Sequence, residues 1–439
     1  MRQLFGTDGM RGVAGEYPLD RATTFAVGSA LGRWVSAHHM NPEVVIGMDT
    51  RESGPWIAEH VAGGLAREGV RARFAGLITT PGIAHVAKTG PFAAGVMISA
   101  SHNPYLDNGI KIIDHSGFKL PDAQEHALEQ EILAFNGDAT PLALTVDEGL
   151  DREYVEHLAA TLPGGASGLS IVVDAGHGAA THLAPSLFER LGARVTRIGC
   201  APDGRNINQN CGSLHLQGLR DAVLETGADF GVAFDGDADR ALFISHSGKI
   251  VDGDAVMLIA ARPLHQRGRL KEVIATVMSN LGLERALRRH GIGTVRTPVG
   301  DKYVLEEMVK RDAPLGGEQS GHVIFRDYAT TGDGLLTALR VLEVIRESGS
   351  NLDALTEELE IYPQLLVNVR VKERRALGDL VNVNHEIRRA ESEFGDAGRV
   401  LVRFSGTEPL ARVMVEGPEI ARVQYFANSI ADAIRSELG

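Results

Sequence analysis

The chain reads as an α/β protein: three related α/β domains with mixed sheets, then a smaller C-terminal α+β domain, around a central cleft. Three observations carry this reading. Apolar runs of strand length alternate with stretches of helical spacing along most of the 439 residues. The order of strand, helix, strand and polar loop recurs three times. After Tyr362-Pro363 the pattern changes to a strand, a helix, two strands about a Ser-Gly-Thr-Glu-Pro turn and a long helix. The expected domains are residues 1–150, 151–255, 256–362 and 363–439.

In the first domain, Asp20 caps a helix marked by Phe25, Val27, Leu31, Trp34 and Val35. Residues 44–48 form a strand ending in Asp49, Thr50 and Arg51, and 56–68 a helix. The apolar run 93–98 is a buried strand that breaks into Ser99, Ser101, His102, Asn103 and Pro104. Hydroxyls, an imidazole and an amide at the carboxyl edge of a sheet sit where open α/β folds bind ligands. Taken alone, the stretch reads equally well as a Ser/Asn/Pro turn. The N-terminal run Phe5 to Gly12 is expected to be a glycine loop that brings its backbone and Arg11 close to a phosphate or sugar.

The second domain has strands at 171–173, 194–198 and 230–234, with helices at 183–191 and 216–226 between them. The third has strands at 273–277 and 294–298, helices at 282–290 and 302–310, and then the loop from Leu315 to His322. In the fourth, strands at 365–371, 400–404 and 412–415 accompany helices at 380–394 and 419–438.

Composition excludes several classes. A formal net charge of −13 leaves no general basic face for nucleic acid, so an anionic substrate must be held by local Arg and Lys. No apolar run reaches membrane-spanning length, and no charged-then-apolar leader opens the chain. Cys200 and Cys211 are the only cysteines, without CxxC spacing, which predicts a reducing, cytoplasmic setting and inert packing roles.

Asp235, Asp237 and Asp239 stand at i, i+2 and i+4 after an apolar strand. In extended backbone this spacing turns three carboxylates to one side. Their mutual repulsion calls for a cation, and an all-oxygen set selects a hard ion, Mg²⁺. An EF-hand would need Gly and Glu where Arg240 and His246 stand, so that rival fails. Mg²⁺ usually shares its shell with a phosphate, and Ser101 is a candidate to carry it. Arg403, Ser405, Gly406, Thr407 and Arg412 combine hydroxyls, a glycine turn and two guanidinium groups, which suits a phosphate clamp. Glu318, Ser320 and His322 follow Gly316-Gly317, a loop suited to sugar hydroxyls. A P-loop, HExxH and GxSxG are all absent.

Five motifs in order carry a resemblance that covers essentially the whole chain. They are Gly6-Thr7-Asp8-Gly9-Met10-Arg11-Gly12, Ser99 to Pro104, Asp235 to Arg240, Gly317 to His322, and Arg403 to Pro409. With them the chain resembles the bacterial phosphoglucosamine mutases, within the α-D-phosphohexomutase superfamily. Met10 stands where Ile is commoner, and Thr79-Thr80-Pro81-Gly82 departs from the usual Pro-Thr-Pro run.

The resemblance implies four domains and an isomerase that interconverts glucosamine 6-phosphate and glucosamine 1-phosphate, feeding amino-sugar synthesis. It implies Ser101 as phosphorylated nucleophile, with His102, Lys111 and Arg11 about the transferring phosphate and Lys111 or His322 as the proton-transfer group. It implies one Mg²⁺ on Ser101, Asp235, Asp237 and Asp239. Substrate contacts would come from Arg240, Glu318, Ser320, His322, Arg403, Ser405, Gly406, Thr407 and Arg412. A glucosamine 1,6-bisphosphate would be the intermediate and activator. The expected partner is a small phosphosugar, with no nucleic acid and no membrane; a homodimer is one assembly left open. A phosphomannomutase/phosphoglucomutase is the nearest alternative, on which Gln319 bears, since Met is common there in that group. A non-catalytic sugar-phosphate sensor and a metal-dependent phosphatase are the readings from other classes.

Overall fold

In the computed structural model, residues 4–6, 8–373, 375–405 and 409–439 are described. The chain divides into two compact units, residues 1–278 with 294–356, and 279–293 with 357–439.

In the larger unit, one sheet runs in the order Phe5–Gly6, Gly9–Val13, Asp107–Asp114, Phe92–Ile98, Glu43–Met48, Arg71–Leu77. Glu43–Met48 pairs in parallel with both Arg71–Leu77 and Phe92–Ile98, and Phe92–Ile98 pairs antiparallel with Asp107–Asp114. Every residue of Phe92–Ile98 is buried, because helices cover both faces of the sheet. Val44, Ile46, Val96 and Ile98 pack into the core with the helices Arg21–His38 and Gly54–Arg67. Gly95 points to the other face, where a β-carbon would meet Ile83 and Ala87 of the helix Thr80–Thr89. Arg21–His38 and Gly54–Arg67 pack closely through glycine. A β-carbon on Gly28 would lie 2.0 Å from the Val61 carbonyl oxygen, so only glycine permits this approach. Asp20 caps Arg21–His38 by accepting from the Thr23 N–H.

The second sheet runs Ile250–Val251, Ala241–Ser245, Phe230–Phe234, Ser170–Asp174, Arg194–Ile198. The third runs Gly293–Thr297, Glu272–Thr276, Leu315–Gly317, Val323–Phe325. The three sheets share one plan: a central strand, a parallel neighbour, and an antiparallel hairpin leading back from that neighbour. Phe92–Ile98 turns into Asp107–Asp114, Phe230–Phe234 into Ala241–Ser245, and Leu315–Gly317 into Val323–Phe325. The loops carrying Ser101, the three aspartates and Glu318 are these three equivalent hairpin turns. The returning strands make each sheet mixed, as the fold class expected. Sequence reading had not marked these returning strands, which follow the polar turns directly.

The N-terminal glycine run is a correction. It is not an irregular loop: Phe5–Gly6 and Gly9–Val13 pair with each other, and Gly9–Val13 extends the first sheet beside Asp107–Asp114.

The smaller unit has its own three-stranded antiparallel sheet, Gln364–Arg370, Leu410–Glu416, Arg399–Phe404, covered by the helices Val381–Phe394 and Ile420–Leu438. The helix Leu281–Arg289 belongs to this unit. Its Leu281 N–H donates to the buried Glu416 side chain at 2.9 Å, and Asn280 exchanges hydrogen bonds with the Tyr362 backbone. Among the described residues, no helix is long and apolar enough to cross a membrane. Cys200 and Cys211 are free thiols.

Candidate active site

The hairpin turns of the first two sheets meet in the larger unit. Ser101 is buried, and its Oγ donates to Asp235 Oδ2 at 2.6 Å. The contact is close because Gly236 has no side chain: a β-carbon there would stand 2.4 Å from the Ser101 carbonyl oxygen. His102 Nδ1 lies 3.3 Å from Ser101 Oγ. Burial, then Arg240 and Arg11, push the His102 imidazole down to about 4.

Asp235, Asp237 and Asp239 are buried, and one oxygen of each lies within 4.8 Å of the others. They converge by a route different from the one the spacing suggested. Residues 235–239 form a tight turn rather than extended chain; Ala238 has φ +55°, and its N–H donates to the Asp235 carbonyl at 3.0 Å. Asp235 Oδ1 accepts from the Arg240 N–H, whereas Asp237 Oδ1 and Asp239 Oδ1 are buried with no hydrogen-bond partner. Burial, and next the charges of Asp239 and Asp237, push the Asp235 carboxyl well up. Orphaned carboxylate oxygens in a buried all-oxygen cluster are the environment of a hard divalent cation, so the residues fit Mg²⁺.

Lys111, on the strand Asp107–Asp114, reaches the same cluster. Its Nζ donates to Asp237 Oδ2 at 2.8 Å and lies 3.0 Å from Asp8 and 3.6 Å from Asp239. Burial alone would discharge it, but Asp237, Asp8 and Asp239 hold its ammonium well above the usual lysine range. Thr80 donates its hydroxyl to Asp237 Oδ2 and its N–H to the Asp237 carbonyl at 3.0 Å.

A cavity of about 450 Å³ opens over this cluster, lined in part by Asp8, Arg11, His102, Arg240, Glu318 and His322. Arg11 pairs with Asp8, and Arg240 Nε lies 3.9 Å from Asp239. Glu318 Oε1 accepts from the Gly300 N–H at 3.1 Å. His322 Nε2 lies 3.1 Å from the Gly332 N–H and its Nδ1 3.6 Å from Asp239; burial works against its charge, but Asp239 and then Asp301 raise the imidazole above its usual range. Ser320 differs: it is exposed on the turn and does not line this cavity. Gln319 donates to Asp252, which caps the helix Gly253–Gln266, so it too points away from the cavity.

Three residues of this site were missed as a set. Asp8 binds Lys111, Lys119 and Arg11, and Lys119 joins Asp8 to Asp301, 2.5 Å away. Asp301 in turn lies 3.8 Å from His322. Asp8 stood inside a quoted motif; Lys119 and Asp301 carry no local signal, since they are 182 positions apart and meet only in the fold.

In the smaller unit, Arg403 and Arg412 are directly opposed on neighbouring antiparallel strands. Burial, then the Arg412 charge, lower the Arg403 guanidinium. The Ser405 N–H donates to the Leu410 carbonyl at 2.8 Å and closes the hairpin. Gly406 and Thr407 lie outside the described residues.

A strand-end serine against a buried acidic cluster, repeated hairpin turns and a basic C-terminal hairpin define a phosphohexomutase-like architecture. Comparison with known proteins agrees along the whole chain. The four family profiles of phosphoglucomutase/phosphomannomutase match in order: domain I over residues 2–136, domain II over 152–248, domain III over 252–362 and the C-terminal domain over 366–433. The chain belongs to this family and is an enzyme of the isomerase class, a mutase. Within the family it falls among the phosphoglucosamine mutases. A protein of that name from Solibacter usitatus is 60% identical, with 100% of this chain and 99% of that relative aligned. Another of that name, from Koribacter versatilis, is 48% identical over 100% and 98%. Among solved structures, a phosphoglucomutase/phosphomannomutase family protein from Burkholderia thailandensis superposes with a TM-score of 0.83 at 26% identity, covering 99% of this chain and 98% of that one.

Proposed function

We propose that this mutase interconverts glucosamine 6-phosphate and glucosamine 1-phosphate through phosphorylated Ser101 and a glucosamine 1,6-bisphosphate. Product of this kind supplies the amino-sugar precursor UDP-N-acetylglucosamine in the cytoplasm. The observation that carries the reading is Ser101 Oγ, buried and 2.6 Å from Asp235 in the three-carboxylate cluster. The full-length relatives named phosphoglucosamine mutase support the choice of sugar.

In this reading phosphoserine 101 gives its phosphoryl group to the free sugar hydroxyl. The P–O bond to Ser101 breaks, a P–O bond to the sugar forms, and the hydroxyl proton passes to a nearby base. The bisphosphate turns over, and its other phosphoryl group returns to Ser101. Asp235, Asp237 and Asp239, with the phosphate on Ser101, would hold one Mg²⁺, which when bound screens phosphate charge and polarises the phosphoryl group. Lys111, held cationic by its carboxylates, and Arg11 face the transferring phosphate. His102, its ring kept neutral by burial and then by Arg240 and Arg11, sits within reach of Ser101, and His322, raised against its burial by Asp239 and then Asp301, sits by Asp239; both are candidates to move the proton. Arg240 and Glu318 line the cavity for the sugar. Ser320, exposed, would touch sugar only from the turn's edge. Arg403, Ser405 and Arg412, with Gly406 and Thr407, would hold the phosphate that is not reacting.

The test is turnover of the 1-phosphates of glucosamine, glucose and mannose side by side, with phosphate on Ser101 followed by peptide mass spectrometry. Preference for the glucosamine ester and phosphate on Ser101 are expected. Equal or better turnover of the glucose or mannose ester would assign the chain to the neighbouring substrate class instead.

A further inference from the structure

Ser101 is held in a conformation that an L-residue seldom adopts. Its φ is +54°, in the left-handed region that a β-carbon disfavours. Something must over-determine it, and two side chains outside the acidic cluster do so. Arg51, 1% exposed, donates from Nη2 to the Ser101 carbonyl at 3.2 Å and to the Asn103 carbonyl at 2.6 Å. Its Nε donates to the Asp107 carbonyl at 2.7 Å, so one guanidinium spans the whole turn. Its Nη1 pairs with buried Asp49, which also accepts from Ser99 Oγ at 2.6 Å. Ser99 Oγ then accepts the Ser101 N–H at 2.9 Å.

From the second sheet comes Asn208, which follows its strand Arg194–Ile198. Its Nδ2 donates to the same two carbonyls, Ser101 at 3.0 Å and Asn103 at 3.2 Å. The segment bearing Asn208 is itself fastened to the first sheet's loop. The Glu52 N–H donates to the Gly204 carbonyl at 2.9 Å, and Arg205 pairs with Glu52 at 2.7 Å. Asn208 also has positive φ, +59°. Both polar groups of the Ser101 backbone are therefore bound, the carbonyl by two donors.

We infer that Arg51 and Asn208 are positioning residues for phosphoryl transfer, a two-sided clamp on the Ser101 and Asn103 carbonyls that keeps Ser101 left-handed and its Oγ aimed at Asp235. The inference rests on the reading of Ser101 as phosphate carrier. Its physical basis is alignment. In-line transfer to and from two different sugar oxygens needs the serine oxygen at one fixed place in both half-reactions. A peptide free to rotate about φ would leave the left-handed well and carry Oγ away from the acceptor. Neither clamp residue needs to touch the sugar, so its loss should fall on kcat rather than KM.

The experiment compares Asn208→Gly, Asn208→Asp and Arg51→Lys with the full-length enzyme. Glycine keeps the positive φ open at 208 and removes both donated bonds. Aspartate keeps the shape but sets an oxygen against two carbonyls. Lysine retains a cation opposite Asp49 and loses the fork. Read out are kcat and KM for glucosamine 1-phosphate, the rate at which Ser101 takes phosphate from glucosamine 1,6-bisphosphate, and the thermal midpoint. For Asn208→Gly a fall in kcat and in phosphate uptake of about 10- to 100-fold is expected, with KM within about twofold and a folded protein. Asn208→Asp should fall further, and Arg51→Lys should lose kcat in the same way. Wild-type kcat and uptake in either folded Asn208→Gly or folded Arg51→Lys would overturn the clamp. A wild-type enzyme that turns over while Ser101 takes no phosphate would overturn the phosphoserine reading itself, a separate and recognisable failure.

Discussion

The acidic cluster of the larger unit and the arginine pair of the smaller one differ in both charge and burial. Asp235, Asp237, Asp239 and Lys111 are all at most 4% exposed, and one ammonium among three carboxylates leaves the cluster anionic, as a site for a divalent cation would be. Arg403 and Arg412 are half-buried, like charges opposed across two strands, and their hairpin is held by backbone pairing. The first region is built of groups that constrain one another, so a change there alters neighbours as well as chemistry. The second presents two cations on a frame that stands without them. Chemistry at the first should respond in kcat and metal response, and binding at the second in affinity.

The largest effect should come from Ser101→Ala. Mutase activity should fall by more than roughly 10³-fold, as for removal of a nucleophile. The fold should survive, because the Ser101 backbone bonds to Ser99, Arg51 and Asn208 do not use the hydroxyl. Circular dichroism and steady-state assays together check this; wild-type turnover in the variant would remove Ser101 from the mechanism.

Next is the metal response. Chelation should abolish activity and Mg²⁺ restore it. Mg²⁺ should also raise the thermal midpoint of the wild type, by the equivalent of about 2.7 kcal/mol at roughly 100 times its Kd. Asp237→Asn should blunt that gain, since one of the two orphaned carboxylate oxygens is lost. An equal Mg²⁺ shift in wild type and variant would move the ion elsewhere.

Arg412→Ala should be smaller and of another kind. Loss of a charge-assisted hydrogen bond to phosphate costs ~1.5–3 kcal/mol, seen as weaker substrate affinity. Free 1,6-bisphosphate should escape more often during turnover. Unfolding free energy should change by only about 0.5 kcal/mol, because strand pairing rather than charge holds the hairpin. Unchanged affinity and leakage would show that the arginine pair is not the phosphate clamp.

The smallest effect concerns a pair that belongs to neither region and serves as their control. His85 and His157 stack with ring centres 4.2 Å apart, near Tyr154. Burial, then His157 and Lys88, lower His85 to about 4 from an ordinary 6.5. Between those values the unfolded chain binds more protons than the folded one. The contribution is therefore whole above pH 6.5 and lost as pH falls toward 4. A thermal-melt series should show that acid-side decline lessened in His85→Phe, with activity at neutral pH unaltered. A decline of the same size in the variant would exclude this pair as its source.

What the sequence by itself determined is local. Phe230–Phe234 was legible as a strand because it is a short apolar run, buried at every residue. Ser101 and the three aspartates were legible because each sits in a short polar run at a strand end, whereas Lys111, in mid-strand between Ile110 and Ile112, was marked only by the family resemblance. The tertiary structure decided how they meet. The aspartates converge through a turn at Ala238, not through strand alternation, and backbone torsion is not written in residue spacing. Lys119 bridges Asp8 and Asp301, and Arg51 and Asn208 grip one carbonyl from two sheets. Gln319, which sequence reading treated as a mark of substrate, turns instead to the helix cap at Asp252. Such pairings depend on which loops the sheets bring together, and a buried charge or carbonyl takes its partner from space rather than from its neighbours in the chain.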